Sequence, residues 1–237
     1  MKTVLVTGAS SGIGAAISRY LSECGYYIVM VARDEEKLKS VAADLKDDCL
    51  IIPFDLQDLE HIEDIFKICE KKELKLDGMV HAAGINRDMP IRMNDIKAME
   101  EVTAIHYYSF VELGKFFNKK KYSREGASIV AISSIASIHH DKGMCTYSAA
   151  KAALDVAVSV MSKEFLKRGQ RVNAILPNLV RTPMVTDSPL MLSDYETRAE
   201  QQPLGIIEPI QIAYLAEFLL SDKASHITDA HIPVGGG

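Results

Sequence analysis

Three side chains carry most of the chemistry this sequence can offer. Ser134 ends a short β-branched run, and Tyr147-Ser148-Ala149-Ala150-Lys151 begins 13 residues later (147 − 134). Reducing a carbonyl needs hydride at carbon and a proton at oxygen. A tyrosine can donate that proton, although its ordinary pKa of about 10 is high for work near neutrality. Lys151 stands four residues on, so it shares a helical face with Tyr147. Its ammonium, with the positive charge of an oxidised nicotinamide, favours tyrosinate and is expected to lower that pKa. Ser134 can hydrogen-bond the substrate oxygen as negative charge develops there. The pair alone says little, because a chain with nine tyrosines yields on the order of one Tyr-x-x-x-Lys by chance. Its position decides the matter, and position depends on the surrounding elements.

The source of hydride is suggested near the N-terminus. Gly8-Ala9-Ser10-Ser11-Gly12-Ile13-Gly14 follows an apolar run and opens a helical one. Glycines there let the chain turn tightly and bring its backbone close to phosphates, while the helix start offers unpaired N–H groups and partial positive charge. The pattern points to dinucleotide binding through Gly8, Ser10, Ser11, Gly12, Ile13 and Gly14. About 20 residues on, such sites usually carry an acid for the ribose 2′-hydroxyl. Here Arg33 stands 19 residues past Gly14 (33 − 14). An arginine suits a 2′-phosphate, so NADP is expected over NAD. The alternative is a solvated Arg33 with Asp34 taking the hydroxyl.

Short apolar runs alternate with longer segments of helical period, the mark of βα units and a parallel sheet. Expected strands are Thr3–Thr7, Tyr27–Ala32, Leu50–Phe54, Gly78–Ala82, Ser128–Ser133, Arg171–Leu176 and His231–Val234. Expected helices are Ile13–Cys24, Asp34–Leu45, Leu59–Glu70, Asp95–Lys119, Thr146–Lys167 and Pro209–Leu220. The fold class is therefore α/β, a doubly wound parallel sheet of about seven strands flanked by helices, in a single domain over 1–237. The proline-bearing stretch Thr182–Gly205 is longer than an ordinary connection and reads as a substrate flap, with a short helix around Asp194–Glu200.

Composition narrows the setting. A net charge of −5 gives no general attraction to nucleic acid or anionic membrane. The basic run Lys115-Phe116-Phe117-Asn118-Lys119-Lys120-Lys121 reads as the solvated end of a helix. Cys24, Cys49, Cys69 and Cys145 show no metal-ligand spacing, so no metal is expected. Cys24 and Cys69 lie in segments reading as helix, and Cys49 and Cys145 border a strand and a helix; cysteine in such places is usually a small core residue, and the pattern suits a reducing cytosol. No apolar run reaches the ~18 residues of a membrane helix, and the expected location is cytoplasmic.

These motifs and their order resemble the short-chain dehydrogenase/reductase family, and the resemblance runs the length of the chain. It implies a Rossmann-type fold and NADP(H)-dependent hydride transfer between nicotinamide and a ketone or secondary alcohol, with Ser134, Tyr147 and Lys151 catalytic. It also implies that Lys151 holds the nicotinamide ribose, that Asp55 and Leu56 meet the adenine, and that Pro177, Val180 and Thr182 lie at the nicotinamide. His81-Ala82-Ala83-Gly84 resembles the family's Asn-Asn-Ala-Gly, so backbone contact from Ala82, Ala83 and Gly84 is implied while both asparagines are gone. His106 replaces the family's relay asparagine; an imidazole in that role titrates near neutrality. Asn178 and Asp229 replace usual glycines. Among relatives the chain is similar to 3-oxoacyl-carrier-protein reductases, which implies a small-molecule carbonyl or an acyl-carrier-protein thioester as substrate, with Arg168 at a carrier-binding position. The alternatives are a dehydrogenase for a sugar or another small alcohol, and an inactive dinucleotide-binding regulator. The family also implies a homodimer or homotetramer joined through Asp95–Lys119 and Thr146–Lys167, whose Phe110, Val156, Val160 and Phe165 exceed what one sheet face covers.

Overall fold

Seven short runs pair side by side, and in the central ones the backbone groups have no other partners once the side chains are buried on both faces. The computed structural model describes residues 1–186, 200, 202 and 204–235. Its strands are β1 (Thr3–Thr7), β2 (Tyr27–Ala32), β3 (Leu50–Pro53), β4 (Leu76–His81), β5 (Ser123–Ile132), β6 (Arg171–Pro177) and β7 (His231–Val234). They form one sheet in the order β3-β2-β1-β4-β5-β6-β7, every pairing parallel. Alternate residues feed two cores. Leu5, Val29 and Val31 face one side, and Val4, Val6, Ile28 and Met30 the other.

Helices α1 (Gly12–Glu23) and α2 (Glu35–Ala42) cover one face; α3 (Ile62–Lys71) covers the other. The crossover from β4 to β5 runs through α4 (Ile96–Thr103), a π turn (Ala104–Tyr108) and α5 (Ser109–Phe117). Next come α6 (Cys145–Glu164), α7 (Pro183–Thr186) and α8 (Pro209–Leu220). After β3 the chain crosses back to place β4 beside β1. That reversal opens a crevice at the C-terminal ends of β1 and β4, where ligands bind in sheets of this type.

The differences from expectation have local causes. The β5 strand starts at Ser123 because Ser123 pairs with Leu76 before a register shift; the exposed polar Arg124, Glu125 and Gly126 hide it from a hydrophobic pattern. Asp34 is the cap of α2, its carboxylate accepting from the Lys37 N–H at 3.0 Å. The expected helix Asp95–Lys119 is interrupted by the π turn. Only Cys69 of the four cysteines is buried. Phe110 and Phe165 belong to the core, whereas Val156 and Val160 are 64% and 48% exposed. The basic run is met by acids, with Lys115 on Glu112 and Lys119 and Lys121 on Glu63. The expected short helix at 194–200, Glu200 apart, and most of the expected flap at 182–205 lie outside the described residues.

Arg171 ties α8 to the sheet. Its buried guanidinium donates to the carbonyls of Leu219 (2.8 Å), Ser221 (3.2 Å) and Ile227 (3.3 Å). Arg171→Met leaves those acceptors without donors in a dry setting, and urea unfolding at pH 7 is expected to show a loss of about 2–4 kcal/mol. A loss under about 0.5 kcal/mol would mean that water replaces the guanidinium.

Candidate active site

The turn from β1 to α1 is held so tightly that side chains are excluded. Gly8 has φ +67°, and a Cβ there would stand 2.8 Å from the Ala83 backbone, at the end of β4. A Cβ on Gly14 would collide with the Gly8 carbonyl. The side chain of Ser11, the cap of α1, makes no capping bond, so the first-turn N–H groups remain available to an anion. Gly8, Ser10, Ser11, Gly12, Ile13 and Gly14 line one cleft with Arg33, Asp55, Leu56, Ala82, Ala83, Gly84 and Thr182. The cleft measures about 370 Å³. This backbone-lined cradle fits a dinucleotide. Arg33 is exposed at its rim, and Lys37 lines the same cleft. Asp34, by contrast, has its carboxylate at the α2 N-terminus.

A second cavity of about 410 Å³ adjoins the first, sharing Ile13, Ala82, Gly84 and Thr182. It brings together Ser134, Tyr147, Lys151, His106, Pro177 and Val180. Ser134 follows β5, and its Oγ accepts from the Ala136 N–H at 3.2 Å. Tyr147 occupies the first turn of α6. Burial pushes the Tyr147 phenol up to about 12, the Ser134 hydroxyl donates to it and pulls back, and the Asp88 carboxylate pushes the same way as burial. Lys151 is 4% exposed. Its Nζ donates to the Ile132 carbonyl at 2.7 Å and lies 5.6 Å from the centre of the Tyr147 ring. Burial brings Lys151 down to about 7, against an upward pull from Asp155. The expected lowering of Tyr147 is therefore not a property of the ligand-free protein. There the tyrosine is a neutral phenol, the form that can donate a proton.

His106 sits in the π turn with Nε2 2.8 Å from the Ile85 carbonyl and 3.2 Å from the Ile85 N–H. One nitrogen cannot serve both, and the shorter contact selects Nε2–H donating to the carbonyl. Nδ1 is then bare, and it is buried without a partner. The ring packs over Gly84 and stands edge-on to Tyr147, with centroids 5.4 Å apart. Burial, then the charge of Lys151, drives its pKa well below 6.5. That overturns the expectation of a near-neutral titration at His106; Lys151 is the group that titrates there.

The sequence reading missed several wall residues: Asn86, His139, Asp141 and Met144 line the second cavity. They lie on loops without periodic signal. Lys37 was legible in principle, being four residues from Arg33. Arg168, read as a carrier-binding position, is used internally: it donates to the Asn118 carbonyl (2.7 Å) and the Ser123 carbonyl (2.8 Å). Ser123 begins β5 and Ser134 lies beyond its end, so these two sites are at opposite edges of the sheet, ~30 Å apart.

A family profile described as enoyl-(acyl carrier protein) reductase matches residues 8–237. The chain belongs to the short-chain dehydrogenase/reductase family. It is 36% identical to the 3-oxoacyl-[acyl-carrier-protein] reductase FabG of Rickettsia prowazekii over 238 residues, which span 100% of this chain and 96% of that protein. It is 30% identical to the 2,5-dichloro-2,5-cyclohexadiene-1,4-diol dehydrogenase LinX of Sphingobium indicum, over 100% of this chain and 95% of the other. A crystal structure of a short-chain dehydrogenase/reductase, glucose/ribitol dehydrogenase, from Brucella melitensis superposes with a TM-score of 0.93 at 27% identity, covering 100% of this chain and 96% of that one. This short-chain dehydrogenase/reductase is an NAD(P)-dependent oxidoreductase with a nicotinamide cofactor. Among the described residues no group of three acidic, histidine or cysteine side chains could hold a metal, and no helix is long and apolar enough to cross a membrane.

Lys151 generates a stability prediction. Its pKa falls from 10.5 to about 7 on folding. Below pH 7 both folded and unfolded chains carry the proton, and the folded state bears the full cost of burying the charge. Between about 7 and 10 the folded state has shed the proton, so stability rises with pH and the cost fades. Lys151→Met is expected to melt above the parent at pH 6, with the gain shrinking to nothing by pH 10. An equal gain at both pH values would show that the lysine is not desolvated.

Proposed function

We propose that this enzyme is an NADPH-dependent ketone reductase acting on 3-oxoacyl thioesters of an acyl carrier protein. The observation that carries the reading is the convergence of Ser134, Tyr147 and Lys151 on one cavity that opens into the glycine cradle; the full-length similarity to FabG supports the substrate class. The nicotinamide supplies hydride when bound. Ser134 and the Tyr147 hydroxyl hold the substrate oxygen, and Tyr147 gives it the proton. Lys151 holds the nicotinamide ribose, whose oxygens favour its charged form, and that charge in turn makes the Tyr147 proton easier to release. Arg33 and Lys37 hold the 2′-phosphate, Asp55 and Leu56 flank the adenine, and Pro177, Val180 and Thr182 line the nicotinamide end. His106 supports Ile85 as a neutral hydrogen-bonding group.

A second reading, a dehydrogenase of small alcohols or sugars, is favoured by the wall of the second cavity. Asn86, His139, Asp141 and Asn178 set hydrogen-bonding groups into an otherwise largely apolar wall, and Lys151 is its one lysine or arginine among the described residues. The enzyme works in the cytoplasm as a homodimer or homotetramer joined across α4, α5 and α6, where Tyr108, Val156 and Val160 are exposed apolar residues.

Cofactor titration tests the first half of the reading. NADPH is expected to bind at least tenfold tighter than NADH, and Arg33→Asp is expected to remove that preference, a loss of ~1.5–3 kcal/mol for a charge-assisted contact. Equal affinities in the parent would sink the assignment. Turnover of a 3-oxoacyl-carrier-protein thioester, set against a panel of small ketones and polyols, decides between the substrate classes. In either, Tyr147→Phe is expected to abolish turnover and leave cofactor affinity nearly unchanged. Near-normal turnover of that variant would mean another group protonates the product.

A further inference from the structure

The proposed proton donor, Tyr147, stands where a helix is weakest. It is the third residue of α6, whose cap position is Met144, a side chain that makes no capping bond. A first turn of this kind leaves its leading N–H groups without helical partners and is prone to fray. No acid stands in that turn to offset the helix dipole. The first helical bond runs from the Ser148 N–H to the Met144 carbonyl at 2.8 Å, one residue beyond Tyr147.

The turn is held instead from another part of the chain. Thr146 is 6% exposed, and its hydroxyl donates to Asn94 Oδ1 at 3.0 Å. Just before the helix, the Gly143 carbonyl accepts from the Met89 N–H at 2.9 Å. Met89 and Asn94 both lie on the loop joining β4 to α4, on either side of a 3₁₀ turn, Ile91–Met93. Asn94 is itself fixed in place. Its N–H donates to the Ile91 carbonyl at 3.2 Å, and its neighbour Asp95 caps α4 by accepting from the Ala98 N–H at 2.7 Å.

The same loop carries Asn86, which lines the catalytic cavity together with Met144 and Tyr147. The two ties therefore set the spacing between two walls of that cavity. Threonine is stiff at χ1, so its hydroxyl bond also fixes the rotation of the turn about the helix axis, and with it the direction of Tyr147. We propose that Asn94 and Thr146 are positioning residues: their hydrogen bond takes the place of a helix cap and holds the Tyr147 hydroxyl at the reacting oxygen. The proposal rests on the assignment of Tyr147 as proton donor. Misplacing a reacting group by about 1 Å can cost on the order of a hundredfold in rate, so partial loosening of the turn reaches kcat. Cofactor affinity depends on the glycine cradle, which this bond does not touch.

Three substitutions isolate the bond. Thr146→Val removes the hydroxyl and keeps the shape, Asn94→Ala removes the acceptor, and Thr146→Ser keeps the donor. The Val and Ala variants are each expected to lose about tenfold or more in kcat, with NADPH affinity within about twofold of the parent; Ser is expected to stay within about threefold. Thr146→Val combined with Asn94→Ala is expected to be no slower than the slower single variant, because the shared bond is lost only once. A purely structural contact would lower the melting temperature and leave kcat per cofactor-binding site intact. That result, additive losses in the double variant, or a Ser variant as slow as Val would overturn the proposal. Proton NMR of the intact enzyme needs no variant to fold: the Thr146 hydroxyl proton is expected to exchange slowly at pH 7 and to lie close to the Asn94 side chain. A hydroxyl proton in fast exchange with water would also overturn it. Turnover surviving Tyr147→Phe would instead defeat the catalytic assignment, a result independent of the order of the Thr146 and Asn94 variants.

Discussion

The close approach of the Gly8 backbone to Ala83 is the constraint on which the site depends. It exists because β4 returns beside β1 at the reversal of strand order, so two strand ends meet over one crevice. A side chain at Gly8 would separate them. With the strands closed, the α1 N-terminus, the Ala82–Gly84 backbone and Thr182 share one cleft. The same closure places the Ser134 and Pro177 ends of β5 and β6 along the adjoining cavity. Cofactor cradle and catalytic wall are thus two consequences of one packing contact.

Desolvation does the rest. Lys151 keeps a single hydrogen-bond acceptor, the Ile132 carbonyl, among the described residues, and its nearest carboxylate influence is Asp155, one helical turn on. The site therefore holds its lysine near the point where charge and neutrality balance. A ligand that brings hydroxyl oxygens shifts that balance toward ammonium, and a charge arriving beside Tyr147 lowers the cost of releasing its proton. Burial holds the phenol high; in the proposed mechanism the charge on Lys151 draws it down. The two states call on the same residues.

Much of this was legible in the sequence. Short apolar runs marked all seven strands, most strongly the central ones buried on both faces, and the glycine spacing located the cradle. Where the reading fell short, tertiary context outweighed local pattern. Nothing in Ala104-Ile105-His106-Tyr107-Tyr108 interrupts a helical period, so the π turn left no signal in the sequence. The residue type of His106 suggested titration near neutrality, and only its burial shows otherwise. Arg168 carried the charge expected of a docking residue, but its hydrogen bonds to Asn118 and Ser123 turn it inward.

The two histidines gain meaning from being considered together. Each stands where the family pattern has an asparagine, and each is buried beside Lys151, whose charge opposes their protonation. An imidazole prevented from titrating has one donor and one acceptor on opposite sides of a rigid ring. That is the hydrogen-bonding capacity of an amide side chain at a longer reach. His81 meets the Thr7 hydroxyl through Nδ1, and His106 touches Ile85 while its edge meets Tyr147. The ordinary pKa of histidine is then no guide to its use here: burial holds both rings neutral, and in the proposed mechanism proton movement belongs to the tyrosine and lysine.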